Sequence, residues 1–553
     1  MNFGRSSRLL KDLLKLFWEF YITNLLCRNK ISDEQKDNEN QEQNERDYII
    51  NEMKSLQRKP KWYHPFLDCV IVFCDVTGIH GACHITNKSL PRSENIAWFV
   101  IVLTALTISS ILLYVSWKWN DETPTKQLID SMHAPVWRIP FPAVTICSNN
   151  RISKEKVTKL ANEMKFTNYT PPDFLKLFKL TMGVKGGLAE NNDKYLLFDR
   201  ILRSNNHTFY TLMDLLTPKC TDLIRRCMWK GETRKCEAIF QEIETSSGKC
   251  CAFNYFAINT TTFPQRVILR NEIFKVPQRV TSCGSKTGLT LLIEPKTTDY
   301  FGTHFSFPGL KIYLHDSYDF PDENSIITLI PARTEAHVQI TSKQTFATSD
   351  VREIKPKIRN CLFADEKKLN FTQKYSLINC LAECRSTFIY SLCNCIPDSL
   401  PRNDSMRLCQ IADTPCILKH RSRYISSALP SFILSNKTNE TKSNLNEHPC
   451  DCLPDCQINQ YSVLSYANYL DRNFSYSLMN LFKGVEITDQ ILLHVYKSDI
   501  LVTRYRTTAF QTWFEILASF GGLLGFVIGF SIVTVGEFIF AVILSPILNK
   551  FNV

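Results

Sequence analysis

The stretch GGLLGFVIGFSIVTVGEF, Gly521 to Phe538, is apolar enough for a bilayer, yet it holds Gly521, Gly522, Gly525, Gly529 and Gly536 together with Ser531, Thr534 and Glu537. A carboxylate at membrane depth costs ~2.5–3.5 kcal/mol on insertion scales and is usually kept for a water-filled path. Hydroxyls, carboxylates and freed backbone carbonyls from several subunits can replace a cation's hydration shell. Freed carbonyls are tolerated in a membrane only where they line a cavity or are buried in protein. Glycines let a backbone approach an axis or leave helical geometry. Gly521, Gly525 and Gly529 recur every four residues, so a small-residue face for helix packing accounts for the glycines alone. It does not account for Ser531, Thr534 and Glu537, spaced three apart. A cation pore accounts for all of them.

Two elements could carry this chemistry into a membrane. Ile96 to Trp117 is 22 residues without a charge, and Ile516 to Gly536 is 21, bounded by Glu515 and Glu537. Each meets the need for ~20 apolar residues. Aromatic residues mark both ends of the first, like an interfacial belt. Leu9 to Leu26 is broken by Lys11, Asp12, Lys15 and Glu19, so it reads as an amphipathic helix rather than a cleavable signal. Two spans put both termini on one side and the long loop on the other. That loop holds 17 of the 21 cysteines, Cys147 to Cys456, and eight Asn-x-Ser/Thr sequons: Asn168, Asn206, Asn259, Asn370, Asn403, Asn436, Asn439 and Asn473. The loop is therefore expected to be extracellular and oxidised, and the termini cytosolic. Most of the net charge of +11 lies in the loop, which is too long for the positive-inside rule to govern.

These signals divide the chain into 1–95, a cytosolic N-terminal region; 96–118, the first transmembrane helix; and 119–512, an extracellular cysteine-rich domain. The second transmembrane helix follows at 513–546, then a short cytosolic tail at 547–553. Asp33 to Asp47 is polar and of low complexity, and reads as a disordered linker. Strand candidates in the loop are Phe141–Cys147 and the runs from Cys250, Gly288, Gly309, Ile326, Ala336 and Tyr461. With scattered helical segments they point to an α+β domain. Ten cysteines crowd residues 361–456, with Cys380 and Cys384 one helical turn apart. In an oxidising compartment, with only His420 and His448 nearby, disulfides are favoured over metal.

Several motifs in order resemble the epithelial sodium channel/degenerin superfamily: GIHGA (Gly78 to Ala82), FPAVTICSNN, GKCCAFN, GLKIYLHD, YSLINCLAEC followed by CNCIP, CDCLPDC, and the final GLLGFVIGFSIVTVGEF. CNCIP and CDCLPDC look most like the insect pickpocket branch. The resemblance implies a membrane protein with two transmembrane helices flanking a disulfide-rich α+β extracellular domain, built on a β-sheet core in a trimeric channel architecture. It implies the bridges Cys361–Cys456, Cys380–Cys452, Cys384–Cys450, Cys393–Cys416 and Cys395–Cys409 in a stiff thumb-like segment, and Cys147–Cys250 besides. Seventeen loop cysteines is an odd number, so at least one is free or pairs elsewhere, and Cys220, Cys227, Cys236, Cys251 and Cys283 are left unassigned.

By the same resemblance, Gly529, Phe530 and Ser531 would be the selectivity filter. Gly525, Thr534 and Glu537 would line the pore, and Ala518, His80 and Gly81 would serve gating. Phe530 departs from the family, where a small residue is usual. The implied function is an amiloride-sensitive, sodium-preferring cation channel subunit of the plasma membrane, passing Na+ passively under an unidentified extracellular stimulus. Its partners would be copies of itself or related subunits in a trimer, and membrane lipid. No nucleic acid, cofactor or metal is expected, since His80, Cys83 and His84 make only a short cluster. A two-span scavenger-type receptor would not need Glu537, and an ATP-gated trimeric channel would not predict GIHGA or Gly-x-Ser. No nucleophile elbow, phosphate loop or HExxH supports an enzyme.

Overall fold

The computed structural model describes the chain apart from residues 1–70, 72, 75–76, 88, 167–168, 183–191, 259–274, 304, 404, 427–449, 472–479 and 541–553. The chain forms two compact units, one made of Met1–Val115 with Leu517–Val553, the other of Ser116–Ile516. The first unit contains a short helix, α1 (Ala82–Thr86), and most of the long α2 (Arg92–Glu122). Apolar side chains of α2, including Ile96, Phe99, Leu103, Ile108 and Ile111, are exposed, as suits a helix solvated by lipid. Three of its hydroxyls are satisfied locally: Thr104, Thr107 and Ser110 donate to the carbonyls of Ile101, Thr104 and Leu106, while the buried Ser109 hydroxyl has no partner among the described residues.

The second unit starts with β1 (Thr125–Pro135), β2 (Ala143–Ser148) and β3 (Asn150–Ser153). Four helices follow: α3 (Lys154–Glu163), α4 (Pro171–Met182), α5 (Asn192–Ser204) and α6 (Phe209–Leu216). Next are β4 (Ile224–Trp229), β5 (Glu232–Arg234), β6 (Phe240–Thr245), β7 (Gly248–Phe253) and β8 (Leu289–Ile293). Then come β9 (Tyr300–Thr303), β10 (Gly309–His315), β11 (Ile326–Pro331) and β12 (Thr334–Ala347). Helices α7 (Leu377–Cys393) and α8 (Thr414–Ser426) lie in the ten-cysteine segment, and β13 (Ile458–Tyr469), β14 (Ile491–Lys497) and β15 (Leu501–Ala509) follow it.

Two sheets share one core. The eight-stranded sheet runs β1-β15-β12-β14-β8-β4-β5 with β13 on β12, and the five-stranded sheet runs β11-β10-β2-β7-β6. Side chains alternate across a strand. Ala336, Val338 and Ile340 of β12 and Ile491, Leu493 and Val495 of β14 therefore meet Val144, Ile146, Leu310, Ile312 and Leu314 of the other sheet. Each large aliphatic side chain so buried contributes ~1.5–3 kcal/mol. Helices α3 to α6 build a separate core around Phe174, Phe178, Phe198 and Leu202. The two ends of the domain are tied together: β1 pairs antiparallel with β15, from Thr125 opposite Ala509 to Pro135 opposite Leu501.

Eight disulfides staple the described residues. In the ten-cysteine segment the structure joins Cys361–Cys456, Cys380–Cys452, Cys384–Cys450, Cys393–Cys416 and Cys395–Cys409. Cys380, Cys384 and Cys393 all lie on α7, so one rigid helix carries three of the five bridges. Cys147–Cys250 ties β2 to β7, while Cys220–Cys251 and Cys227–Cys236 use cysteines the sequence left unassigned. Cys283 is in no disulfide. The stapled segment is an insertion between β12 and β13, which pair antiparallel from Thr334 opposite Tyr469 to Thr345 opposite Ile458.

The loop after β10 grips α7. Phe320 N–H donates to Asn379 Oδ1 at 2.8 Å, and Asn379 Nδ2 donates to the Tyr318 carbonyl at 2.8 Å. Asp316, Asp319 and Asp455 gather at this contact. Burial, reinforced by the Asp316 charge, pushes the Asp319 carboxyl from 3.8 up to about 8, and burial pushes Asp455 up to about 6. Asp319 thus holds its proton well above the usual carboxylate range in the folded protein. Its folded pKa exceeds its unfolded value, so its contribution to stability shrinks as pH rises from 3.8 to about 8. The melting temperature of the detergent-purified chain is expected to fall over that window. Asp319→Asn should flatten the fall and melt above the parent at pH 8; parallel curves would remove Asp319 from this account.

Candidate functional site: an interrupted span and a glycine loop

The last two helices described are α9 (Trp513–Ile528) and α10 (Ile532–Ile539), bent by 70° at the break between them. Gly529 sits at φ +70°, in the left-handed region where glycine pays no Cβ penalty. Its N–H bonds the Gly525 carbonyl at 3.0 Å, and Phe530 N–H reaches the Leu524 carbonyl at 3.3 Å, which closes α9. Ser531 then starts α10 with a reciprocal cap. Its hydroxyl accepts from Thr534 N–H at 3.4 Å, and its own N–H donates to Thr534 Oγ1 at 3.3 Å. Phe530 is half-buried and Ser531 exposed, while Thr534 is buried. Gly521, Gly522 and Gly536 have open space where a side chain would begin, and the Cβ position of Gly525 is 3.7 Å from the Phe530 carbonyl oxygen.

The GIHGA loop fits into this break. Gly78 N–H donates to Glu537 Oε2 at 3.0 Å, and His80 N–H donates to the Ile528 carbonyl at 3.0 Å. Ile528 is the last residue of α9, so the break would otherwise leave that acceptor without a helical donor. The approach is close: a Cβ on Gly529 would lie 2.7 Å from His80 Cδ2 and 2.9 Å from the Gly78 oxygen. On the other side Gly81, at φ +80°, presses on α2, where its Cβ would lie 3.0 Å from Trp98 Cε3. His84 packs on the same indole at 4.6 Å between centroids, and Phe73 meets Phe538 edge-on at 5.4 Å.

The structure therefore brings His80, Gly529 and Glu537 together around Gly78, and places Gly81 against α2. Ala518 is exposed on α9 and has no part in this cluster. Gly78, Ile528 and Trp98 were missed by the sequence reading. The signal was present, because a carboxylate at membrane depth needs a donor and a two-glycine loop can offer bare N–H groups. Of the sequons, Asn206 and Asn370 are exposed and Asn403 is half-buried, while Asn168, Asn259, Asn436, Asn439 and Asn473 lie outside the described residues. Among the described residues, His80, Cys83 and His84 form no group of three converging ligands; such groups occur at Glu335, His337 and His494 and at Cys395, Cys409 and Asp413. The cysteines of the second are joined to each other.

A family model described as amiloride-sensitive sodium channel matches residues 73–541. The chain belongs to the amiloride-sensitive sodium channel family. This is the epithelial sodium channel/degenerin family of ion channels, which are not enzymes. Pickpocket protein 11 of Drosophila melanogaster is 25% identical over 479 residues, covering 86% of this chain and 76% of that protein. Sodium channel protein Nach of Drosophila ananassae is 24% identical over 483 residues, covering 85% and 86%. The Bile acid-sensitive ion channel of Homo sapiens is 24% identical over 488 residues, covering 84% of each. The chain is a membrane protein of this family with two candidate spans, the second a bent helix pair.

Substitutions at two positions test the loop contact. Gly529→Ala puts a Cβ into both a left-handed backbone, at ~1–2 kcal/mol, and the His80 ring, and should lower the melting temperature of the purified chain by several degrees. Glu537→Ala strips Gly78 of its acceptor and should destabilise by ~1 kcal/mol more than Glu537→Gln, which keeps an acceptor oxygen. Equal melting of the Ala and Gln variants would mean the Gly78 bond contributes nothing.

Proposed function

We propose that this chain is a subunit of a trimeric, amiloride-blocked, sodium-preferring cation channel of the plasma membrane, opened by an extracellular stimulus, with both termini in the cytosol. The observation that carries this reading is the interruption of the second span at Gly529–Ser531. A break at that depth is tolerated where it lines a water-filled path. Three chains around one axis, alike or related, then bring backbone carbonyls and Ser531 hydroxyls of Gly529-Phe530-Ser531 into a filter ring. Gly525 and Thr534 line the path to either side of it. Glu537 gives one carboxylate oxygen to Gly78 and keeps the other for a hydrated cation, so three copies concentrate sodium at the cytosolic mouth. Phe530 holds the middle position of the ring, where the family usually has a small residue.

Gating follows from the same contacts. His80 and Gly81 belong to the loop that supplies the break with a donor, so moving the loop changes the filter's support. Ala518 keeps α9 slim where the helices must converge to close. Outside the membrane, the stapled segment acts as a lever: it is inserted between β12 and β13, and β12 also pairs with β15, the strand that continues through residues 510–512 into α9. Glycans on the loop sequons keep the surface around it hydrated. Relatives named sodium channels and a bile acid-sensitive ion channel agree with a conducting role.

The test is voltage clamp of cells expressing Ala518→Phe, with sodium outside, before and after amiloride. A bulky side chain at 518 is expected to hold the gate open and yield an inward, amiloride-blocked sodium current absent from the parent. No current at confirmed surface expression, alone or with a related subunit, would contradict the reading.

A further inference from the structure

The outer face of the eight-stranded sheet carries a row of side chains in register across four strands. Tyr466 on β13 lies opposite His337 on β12, His337 opposite His494 on β14, and His494 opposite Thr290 on β8. Glu335 stands two residues before His337 on the same face. His494 Nε2 is 3.3 Å and His337 Nε2 is 3.5 Å from the same oxygen, Glu335 Oε1. The three ligand atoms all lie within 4.8 Å of one another.

We propose that Glu335, His337 and His494 form a binding site for a divalent transition-metal ion, with zinc the best fit, on the extracellular domain. Zinc lies ~2.1 Å from imidazole nitrogen and carboxylate oxygen, so a tetrahedral ion holds neighbouring donors ~3.4 Å apart. The two nitrogen–oxygen separations, 3.3 and 3.5 Å, lie either side of that value. Two imidazoles and one carboxylate suit zinc, copper or cobalt rather than calcium or magnesium, and leave a fourth position for water.

The surroundings hold the rings in place for this role. Thr290 Oγ1 lies 3.0 Å from His494 Nδ1, placed to accept its proton and leave Nε2 as the free donor. His337 is clamped between rings, stacked on Tyr466 at 5.1 Å and on His494 at 4.6 Å. Beside the site the Tyr466 and Tyr496 hydroxyls are hydrogen-bonded to each other and bridged by Gln339. Side-chain exposure falls from 33% at Glu335 to 21% at His337 and 7% at His494, which gives an ion an open side to arrive from. A bound ion would cross-link β12 to β14 and bring together groups that otherwise crowd two imidazoles on one carboxylate.

The experiment is zinc titration of the full chain in lipid nanodiscs by calorimetry, with cobalt(II) absorption as a second readout. One ion per subunit is expected, with cobalt giving the visible bands of a four-coordinate site. Glu335→Gln, His337→Gln and His494→Gln should each weaken binding about tenfold or more, while Tyr496→Phe should leave it unchanged. Zinc should raise the melting temperature of the parent and not of His337→Gln, whose melting in chelator should match the parent. His337 is the more exposed of the two imidazoles, so this variant keeps the test open if His494→Gln fails to fold. Absence of stoichiometric binding to the parent, or binding undiminished by Glu335→Gln and His337→Gln, overturns the proposal.

Discussion

Backbone groups freed inside a bilayer must find partners, because lipid supplies none. The break between α9 and α10 frees such groups, and the chain answers with two kinds of donor. Ser531 and Thr534 cap α10 reciprocally. His80 N–H takes the Ile528 carbonyl, and Gly78 N–H takes the carboxylate of Glu537. The glycines of the loop follow from this fit. Gly529 must be bare to let His80 approach, and Gly81 must be bare against Trp98. The charge that looked out of place in an apolar segment is one half of a hydrogen bond that holds the interruption in position.

The disulfide-rich domain depends on a different constraint, the sharing of one long strand. β12 pairs with β13 along its length, with β14 through Glu335–Ile340 and with β15 through Lys343–Ala347. Its inward face fills the common core and its outward face carries Glu335, His337 and Gln339. Five disulfides stiffen the segment inserted after it. The loop after β10 grips that segment at Asn379, where half-buried Asp319 sits beside Asp316 and Asp455.

Much of this was legible in the sequence. Charge-free length marked the two spans, and short apolar runs bounded by turn residues marked the strands β2, β7, β8, β10, β11, β12 and β13. The segment ILLHVYK of β14 escaped, because a strand buried on both faces lacks alternation. β1 and β15 escaped because Lys126, Gln127, Arg504 and Arg506 give them no apolar face. The unassigned Cys220, Cys227, Cys236 and Cys251 needed the fold to choose among pairings. What no local pattern could supply were contacts between remote segments. Gly78 and Glu537 are 459 residues apart, and although Asp316, Asp319, Asp322 and Glu323 stand close together in the sequence, nothing local shows that Asp455 joins Asp316 and Asp319 from the far end of the stapled segment. The row from Tyr466 to Thr290 exists only through strand register.

The central claim is that cations cross the membrane through the interruption that the loop supports. Its most direct measurement is the reversal potential of open-gate current with sodium outside and potassium inside, compared with the same background carrying Ser531→Ala. The account expects a clearly positive reversal potential in the parent and a shift toward zero when the hydroxyl is removed. A current whose reversal potential is the same with and without Ser531 would place the conduction path elsewhere.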